Sequence, residues 1–177
     1  MSCLPLSSKK RTFNNMQSNK VIIFGNSGSG KSTLAKKMSD QHNLSHLDLD
    51  TLAWLATEPP TRKPLADSAA IISQFITENK RWVIEGCYVD LLQLVVADAE
   101  HAIFMNLPVS SCQENARNRP WEPHKYASKA AQDANLTMLL DWIAAYDKRT
   151  DEFSYQAHRK LYNQFSKNKQ EITQNQP

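Results

Sequence analysis

Glycine is scarce. The chain has four in 177 residues, where average usage would supply about twelve. Three of them stand close together, at Gly25, Gly28 and Gly30, and the fourth is Gly86. Glycine used this sparingly marks places where backbone must bend or approach something closely. Cysteine is scarce too. Cys3, Cys87 and Cys112 are odd in number and form no CxxC pair, which excludes a disulfide framework and a zinc ribbon and reads as reduced thiols in a cytoplasm. No apolar run comes near the ~20 residues that cross a bilayer, so an integral membrane function is excluded. His42, His101, His124 and His158 show no metal-ligand spacing and read as surface or packing residues. Charge of one sign is missing as well: 21 basic side chains meet 18 acidic ones. Four of the basic residues, Lys9, Lys10, Arg11 and Lys20, fall in the first twenty positions, which contain no acid. The remainder is therefore close to neutral, which argues against a nucleic-acid partner.

What is present describes one soluble, globular domain. Hydrophobic residues make up 41% and charged residues 22%, and a chain of this length buries about 70% of its unfolded surface without staples. Residues 1–19 read as a flexible basic leader, 20–173 as the domain and 174–177 as a frayed tail. Val21-Ile22-Ile23-Phe24 is a continuous apolar run, as expected of a strand buried on both faces. A helix is expected over 32–41, a second strand over 45–50, and a helix through Leu65, Ala69, Ile72 and Ile76. Further strands fall at 82–84 and 102–107, with a weak fifth at 171–173. Helices are expected over 91–97, 110–118, 128–147 and 151–165. Strands alternating with helices predict a parallel α/β sheet.

The informative glycines spell a motif. Gly25-Asn26-Ser27-Gly28-Ser29-Gly30-Lys31-Ser32 fits G-x-x-x-x-G-K-[ST], after a predicted strand and at the start of a predicted helix. Such a loop rings phosphates with backbone N–H groups at a helix N-terminus. Lys31 reaches the outer phosphates and the Ser32 hydroxyl takes a place on Mg²⁺; Thr33 completes the nucleotide-binding stretch. Downstream, Asp48 and Asp50 share one face if the second strand runs through both, although one of them could simply cap the next turn. Glu85-Gly86 ends the third strand beside the loop-bearing one. Cys87 follows, but proximity alone does not make a thiol a nucleophile. Trp54 could line a pocket or the core.

GNSGSGKSTLAKK, HLDLDTLAW, WVIEGCY, AIFMNLP and the stretch from Arg149 to Glu152 together resemble the adenylate-kinase-like branch of P-loop proteins, small-molecule kinases such as shikimate and gluconate kinases. More closely, the chain resembles the bacterial ATPases known as topology modulation proteins. The resemblance covers residues 20 to about 165. It implies a three-layer α/β/α P-loop fold with a five-stranded parallel sheet in the order 2-3-1-4-5, and a short lid over about 118–127. It implies ATP and Mg²⁺ as cofactors, with Asp48 helping to hold the metal and Asp50 taking the proton of the attacking hydroxyl. Glu85 and Gly86 fall on the acceptor side. Arg117 and Arg119 at the lid, and Arg149 before the last helix, would clamp phosphates; Lys160 stands near a further arginine position.

Departures bear on the acceptor. Asn106 replaces a frequent Asp, and no arginine follows Glu85-Gly86, where nucleoside monophosphate kinases hold an acceptor phosphate; Asp90 and Gln93 are there instead, with Arg62 and Lys63 in the preceding loop. Two functions remain open: a phosphotransferase acting on a small hydroxyl- or phosphate-bearing acceptor, and a nucleotide-binding regulatory ATPase. A GTPase is disfavoured, because Asn168-Lys169-Gln170-Glu171 has no D-x-x-G switch before it. Acceptor specificity is expected to come from side chains that the 51–80 region brings together.

Overall fold

The computed structural model describes residues 18–123 and 125–175. The expected leader up to Gln17, Cys3, His124 and the last two residues of the expected tail lie outside them. The central sheet holds five parallel strands: β1 (Lys20–Gly25), β2 (Ser45–Asp48), β5 (Trp82–Gly86), β6 (His101–Met105) and β7 (Asn168–Ile172). Their spatial order is β2-β5-β1-β6-β7, which is the expected order once a small β3–β4 hairpin (Trp54–Leu55 and Thr61–Arg62) is counted in. Parallel pairing runs from Val21 opposite Val83 and His101 to Phe24 opposite Gly86 and Phe104.

The sheet is buried on both faces because alternate residues of β1 feed two separate cores. Ile22 and Phe24 join Trp82, Ile84, Ala102 and Phe104 on one face, together with Ile72, Leu91 and Leu161. These last come from α2 (Leu65–Glu78), α3 (Val89–Gln93) and α7 (Tyr155–Gln164). Val21 and Ile23 join Val83, Ile103 and Met105 on the other face, with Leu34, Met38, Cys112 and Ile143. Those come from α1 (Lys31–His42), α4 (Val109–Arg117) and α6 (Leu136–Ala144). Two apolar layers against one all-apolar strand make the three-layer sandwich. Among the described residues no helix is long and apolar enough to cross a membrane.

Local chemistry sets the boundaries. The second strand stops at Asp48, short of the expected Asp50, because the Asp48 carboxylate accepts the Asp50 backbone N–H at 2.9 Å and curls Leu49–Thr51 into a 3₁₀ turn. The two aspartates therefore do not alternate along one strand face. The helix expected over 128–147 is two, α5 (Lys129–Ala134) and α6, which meet at Asn135. The last helix begins at Tyr155, where the Ser154 hydroxyl accepts the Ala157 N–H.

Candidate active site

The phosphate-type loop is held by its neighbours. A Cβ at Gly25 would run into the Met105 carbonyl oxygen, and one at Gly28 into that of Cys112, so both glycines let the loop lie directly on β6 and α4. The Asn26 side-chain amide donates to the Ile143 carbonyl at 3.1 Å, and that of Asn115 donates to the Gly28 carbonyl at 2.9 Å. Lys31 is buried and its Nζ donates back across the loop to the Asn26 carbonyl at 2.8 Å. Gly30, at φ 87°, leads into α1 with no side-chain cap and no acid in the first turn. The first N–H groups and the positive end of the helix are thus left for an anion.

The loop forms one wall of a cleft of about 660 Å³. Ser27 to Leu34 and Lys37 line that wall; Asp50, Glu85, Gly86 and Cys87 line the strand ends; Arg119, Trp121, Glu122, Lys125 and Tyr126 line the facing loop. That facing segment falls within the stretch 118–127 expected as a lid.

The carboxylates are wired to that facing segment. Asp50 Oδ1 accepts the Tyr88 hydroxyl at 2.6 Å, and that hydroxyl accepts the Trp54 indole N–H at 2.7 Å. Asp50 Oδ2 lies 3.1 Å from Lys125 Nζ, which is also 3.6 Å from Asp48 Oδ2 and 3.9 Å from Glu122 Oε1. Burial pushes the Asp50 pKa up, but the charges of Lys125 and Lys31 and the Tyr88 hydrogen bond outweigh it and hold Asp50 below its usual value. Asp48 goes the other way. Burial first, then the charges of Glu85 and Asp50, raise it to about 6. Glu85 is buried and its Oε1 has no hydrogen-bond donor; His46 Nε2 is 3.7 Å away. Burial also pushes the Cys87 thiol up to about 12, which leaves it a neutral, unreactive group in the cleft wall.

The expected arginines sit as follows. Arg119 lines the cleft, its Nη1 3.0 Å from Glu122 Oε2. Arg117 is exposed in the last turn of α4 and outside the cleft lining. Arg149 is also outside the lining. It lies 3.7 Å over the Trp142 ring and pairs through Nε and Nη2 with both Asp151 oxygens. Arg62 is enclosed by Trp54, Tyr88 and Phe153 and pairs with Asp90 and Glu152, each at 2.8 Å. Lys160 is exposed, whereas its neighbour Arg159 binds Glu171 and ties α7 to β7.

Two residues of this network escaped the sequence. Tyr88 follows Glu85-Gly86-Cys87 and could have been found from that position. Lys125 is 75 residues from Asp50, in a stretch without periodicity, and nothing local marks it as a partner.

A magnesium ion fits the donors present. Among the described residues no group of three or more His, Cys, Asp or Glu is arranged to hold a metal. Mg²⁺ typically takes most of its oxygens from phosphates and water and only one or two from protein. Ser32, which lines the cleft beside the loop, is of that kind, and Asp48 stands near enough to Glu85 and Lys125 to act on the metal through water.

No protein-family model matches the chain, and no curated protein matches its sequence. Solved structures do. A gluconokinase from Sinorhizobium meliloti 1021 superposes with a TM-score of 0.52 over 89% of this chain and 84% of its own, at 13% identity. A sugar kinase from Janibacter sp. HTCC2649 gives 0.50 over 89% and 86%, at 14% identity. The chain has the fold of small P-loop kinases. At these identities the likeness is one of fold.

Proposed function

We propose that the protein is a Mg²⁺-dependent phosphotransferase that moves the γ-phosphoryl group of ATP to a small hydroxyl- or phosphate-bearing acceptor. The observation that carries this reading is the sharing of one cleft by the Gly25–Ser32 loop, the Asp50 carboxylate and the lid. A plain nucleotide-binding loop needs no buffered carboxylate opposite the phosphates; a kinase does. The sugar kinases that share the fold support the same class.

The assigned roles follow from charge and reach. Amides of Asn26 to Thr33 take the β-phosphate oxygens, and Lys31 turns from the Asn26 carbonyl to the β/γ oxygens. Lys37 and Arg119 face the same space and offset charge on the transferring group. Arg117 and Arg149 reach it only if the lid and the Arg149–Asp151 pair rearrange. Ser32 would hold the metal, with Asp48 helping through water and Glu85 left on the acceptor side. Bound there, Mg²⁺ would neutralise charge on the β- and γ-phosphates. The acceptor oxygen attacks the γ-phosphorus, the bond to the β-phosphate oxygen breaks, and the acceptor proton passes to Asp50. A carboxylate held this acidic is a weak base, which suits a loose transition state in which positioning matters more than early proton removal.

The test is ADP release from ATP and Mg²⁺ with panels of small acceptors. Stimulation by an acceptor supports the reading. ADP release that no acceptor changes makes the protein an ATPase instead.

A further inference from the structure

The charge around the acceptor half of the cleft selects among acceptors. Beyond the phosphate loop the lining offers Asp50, Glu85 and Glu122, with Lys125 and Arg119 as the opposing cations. Glu85 is 1% exposed, its Oε1 has no hydrogen-bond donor, and the basic side chain beside it is His46, with Nε2 3.7 Å away. A buried carboxylate oxygen in that state is costly unless something in the cleft donates to it. A hydroxyl or an ammonium would, whereas the anionic group of a hydroxy acid or phosphate ester would add a second negative charge beside it.

The cations that line this side, Arg119 and Lys125, are already matched, and Arg62 and Arg149 lie outside the lining with partners of their own. Arg62 stands behind the Tyr88 ring and holds Asp90 and Glu152. Arg149 holds both oxygens of Asp151, and Arg119 holds Glu122. Lys125 is shared between Asp48 and Asp50. An anion entering there would meet carboxylates whose counter-charges are in use. Like charges so placed cost several kcal/mol against binding.

We propose that the acceptor is a non-anionic hydroxyl compound, a neutral polyol or an amino alcohol, and not a carboxylic acid or a phosphate ester. This narrows the phosphotransfer reading and rests on it. The hydroxyl oxygen forms the new bond to the γ-phosphorus, the β-phosphate oxygen leaves with the electrons of the broken bond as ADP, and Asp50 takes the proton. Glu85 accepts a hydrogen bond from a second hydroxyl or from the ammonium.

The experiment uses the full chain with ATP, Mg²⁺ and three pools of compounds matched in size: neutral polyols, amino alcohols, and hydroxy acids with sugar phosphates. ADP release is expected to rise with one or both non-anionic pools, by roughly tenfold or more over the anionic pool. An anionic pool that stimulates as well or better overturns the inference and leaves the kinase reading standing. No stimulation by any pool overturns the kinase reading, and this one with it. A second arm frees Arg119, which lines the cleft, with the substitution Glu122→Gln. Relative turnover of the anionic pool should then climb several-fold; an unchanged ranking of the pools would overturn the claim that matched cations set the preference.

Discussion

Lys125 reaches from the loop facing the phosphate-type loop to the Asp50 carboxylate, 3.1 Å from nitrogen to oxygen. The contact joins a loop of the cleft's outer wall to the turn that follows β2, and with Tyr88 on the other oxygen it leaves Asp50 fixed in direction. It also sets its acidity, since the lysine charge is the largest influence opposing burial.

Replacing Lys125 by Met removes that charge. Asp50 should then titrate at higher pH, so the acid limb of kcat/KM should move upward. Turnover near neutrality should fall by roughly tenfold or more, a typical share for a positioned acid–base pair. Lys125→Arg should restore the pH profile. An acid limb that stays in place in the Met variant would show that Lys125 does not govern Asp50. Acceptor-dependent rate against pH is the measurement.

Asp48 carries the opposite sign. Its folded pKa of about 6 lies above the ordinary carboxylate value of 3.8. Between those values the folded protein keeps a proton that the unfolded chain gives up, so the stability that Asp48 contributes is full below pH 3.8 and is lost as pH rises through about 6. Asp48→Asn keeps an oxygen for the Asp50 N–H but never ionises. It should be more stable than the parent at pH 8, by on the order of 1 kcal/mol, and the gain should vanish near pH 4. Denaturant melts at the two pH values decide; an equal difference at both would contradict the assignment.

The fold was legible because its signals are local and strong. Val21 to Phe24 fits only a strand covered on both sides, and the loop that follows it announces both its own conformation and the helix behind it. The five-strand order came through with them. The site was legible only in its anchored half. Asp50 and Glu85 were named from strand ends, yet the turn capped by Asp48 changed how the two aspartates face. Arg149 was expected at the phosphates and instead stacks on Trp142, because the sequence does not reveal that a ring and Asp151 will both be within reach. Arg62 shows the same limit: its partners Asp90 and Glu152 are distant in the chain, and pairing across such distances is a product of the assembled fold.

Gly28 and Gly30 separate two reasons for glycine. Both have positive φ, 75° and 87°. At Gly28 an added Cβ would also meet the Cys112 backbone, whereas at Gly30 the nearest atom is the Met105 methyl carbon at 3.9 Å. Gly30→Ala should cost about 1–2 kcal/mol of stability for the left-handed backbone alone. Gly28→Ala should cost more, about 3 kcal/mol or above, since loop and α4 must separate as well. Equal losses in chemical denaturation would contradict the contact between Gly28 and α4.

His158 sits at the centre of the α7 core, fully buried beside Phe24 and Phe104. Its Nε2 bonds the Cys87 carbonyl at 3.1 Å and its Nδ1 the Tyr146 hydroxyl at 2.7 Å. A proton on Nε2 satisfies both, with the tyrosine as donor to Nδ1, so the neutral ring fits and the cation does not. Burial, reinforced by the Lys31 charge, pushes its pKa down to about 3 from 6.5. Between those values the unfolded chain binds a proton that the folded protein refuses. Stability is therefore held above pH 6.5 and declines as the pH falls toward 3. His158→Gln cannot titrate. It should lower stability at pH 7 by about 1–3 kcal/mol for the disturbed hydrogen bonds. It should also make the loss between pH 7 and pH 4 shallower than in the parent, by on the order of 2 kcal/mol. Parallel slopes of stability against pH in the two proteins would mean that His158 is already protonated in the fold, and that the carbonyl after Glu85-Gly86 is held by an imidazolium.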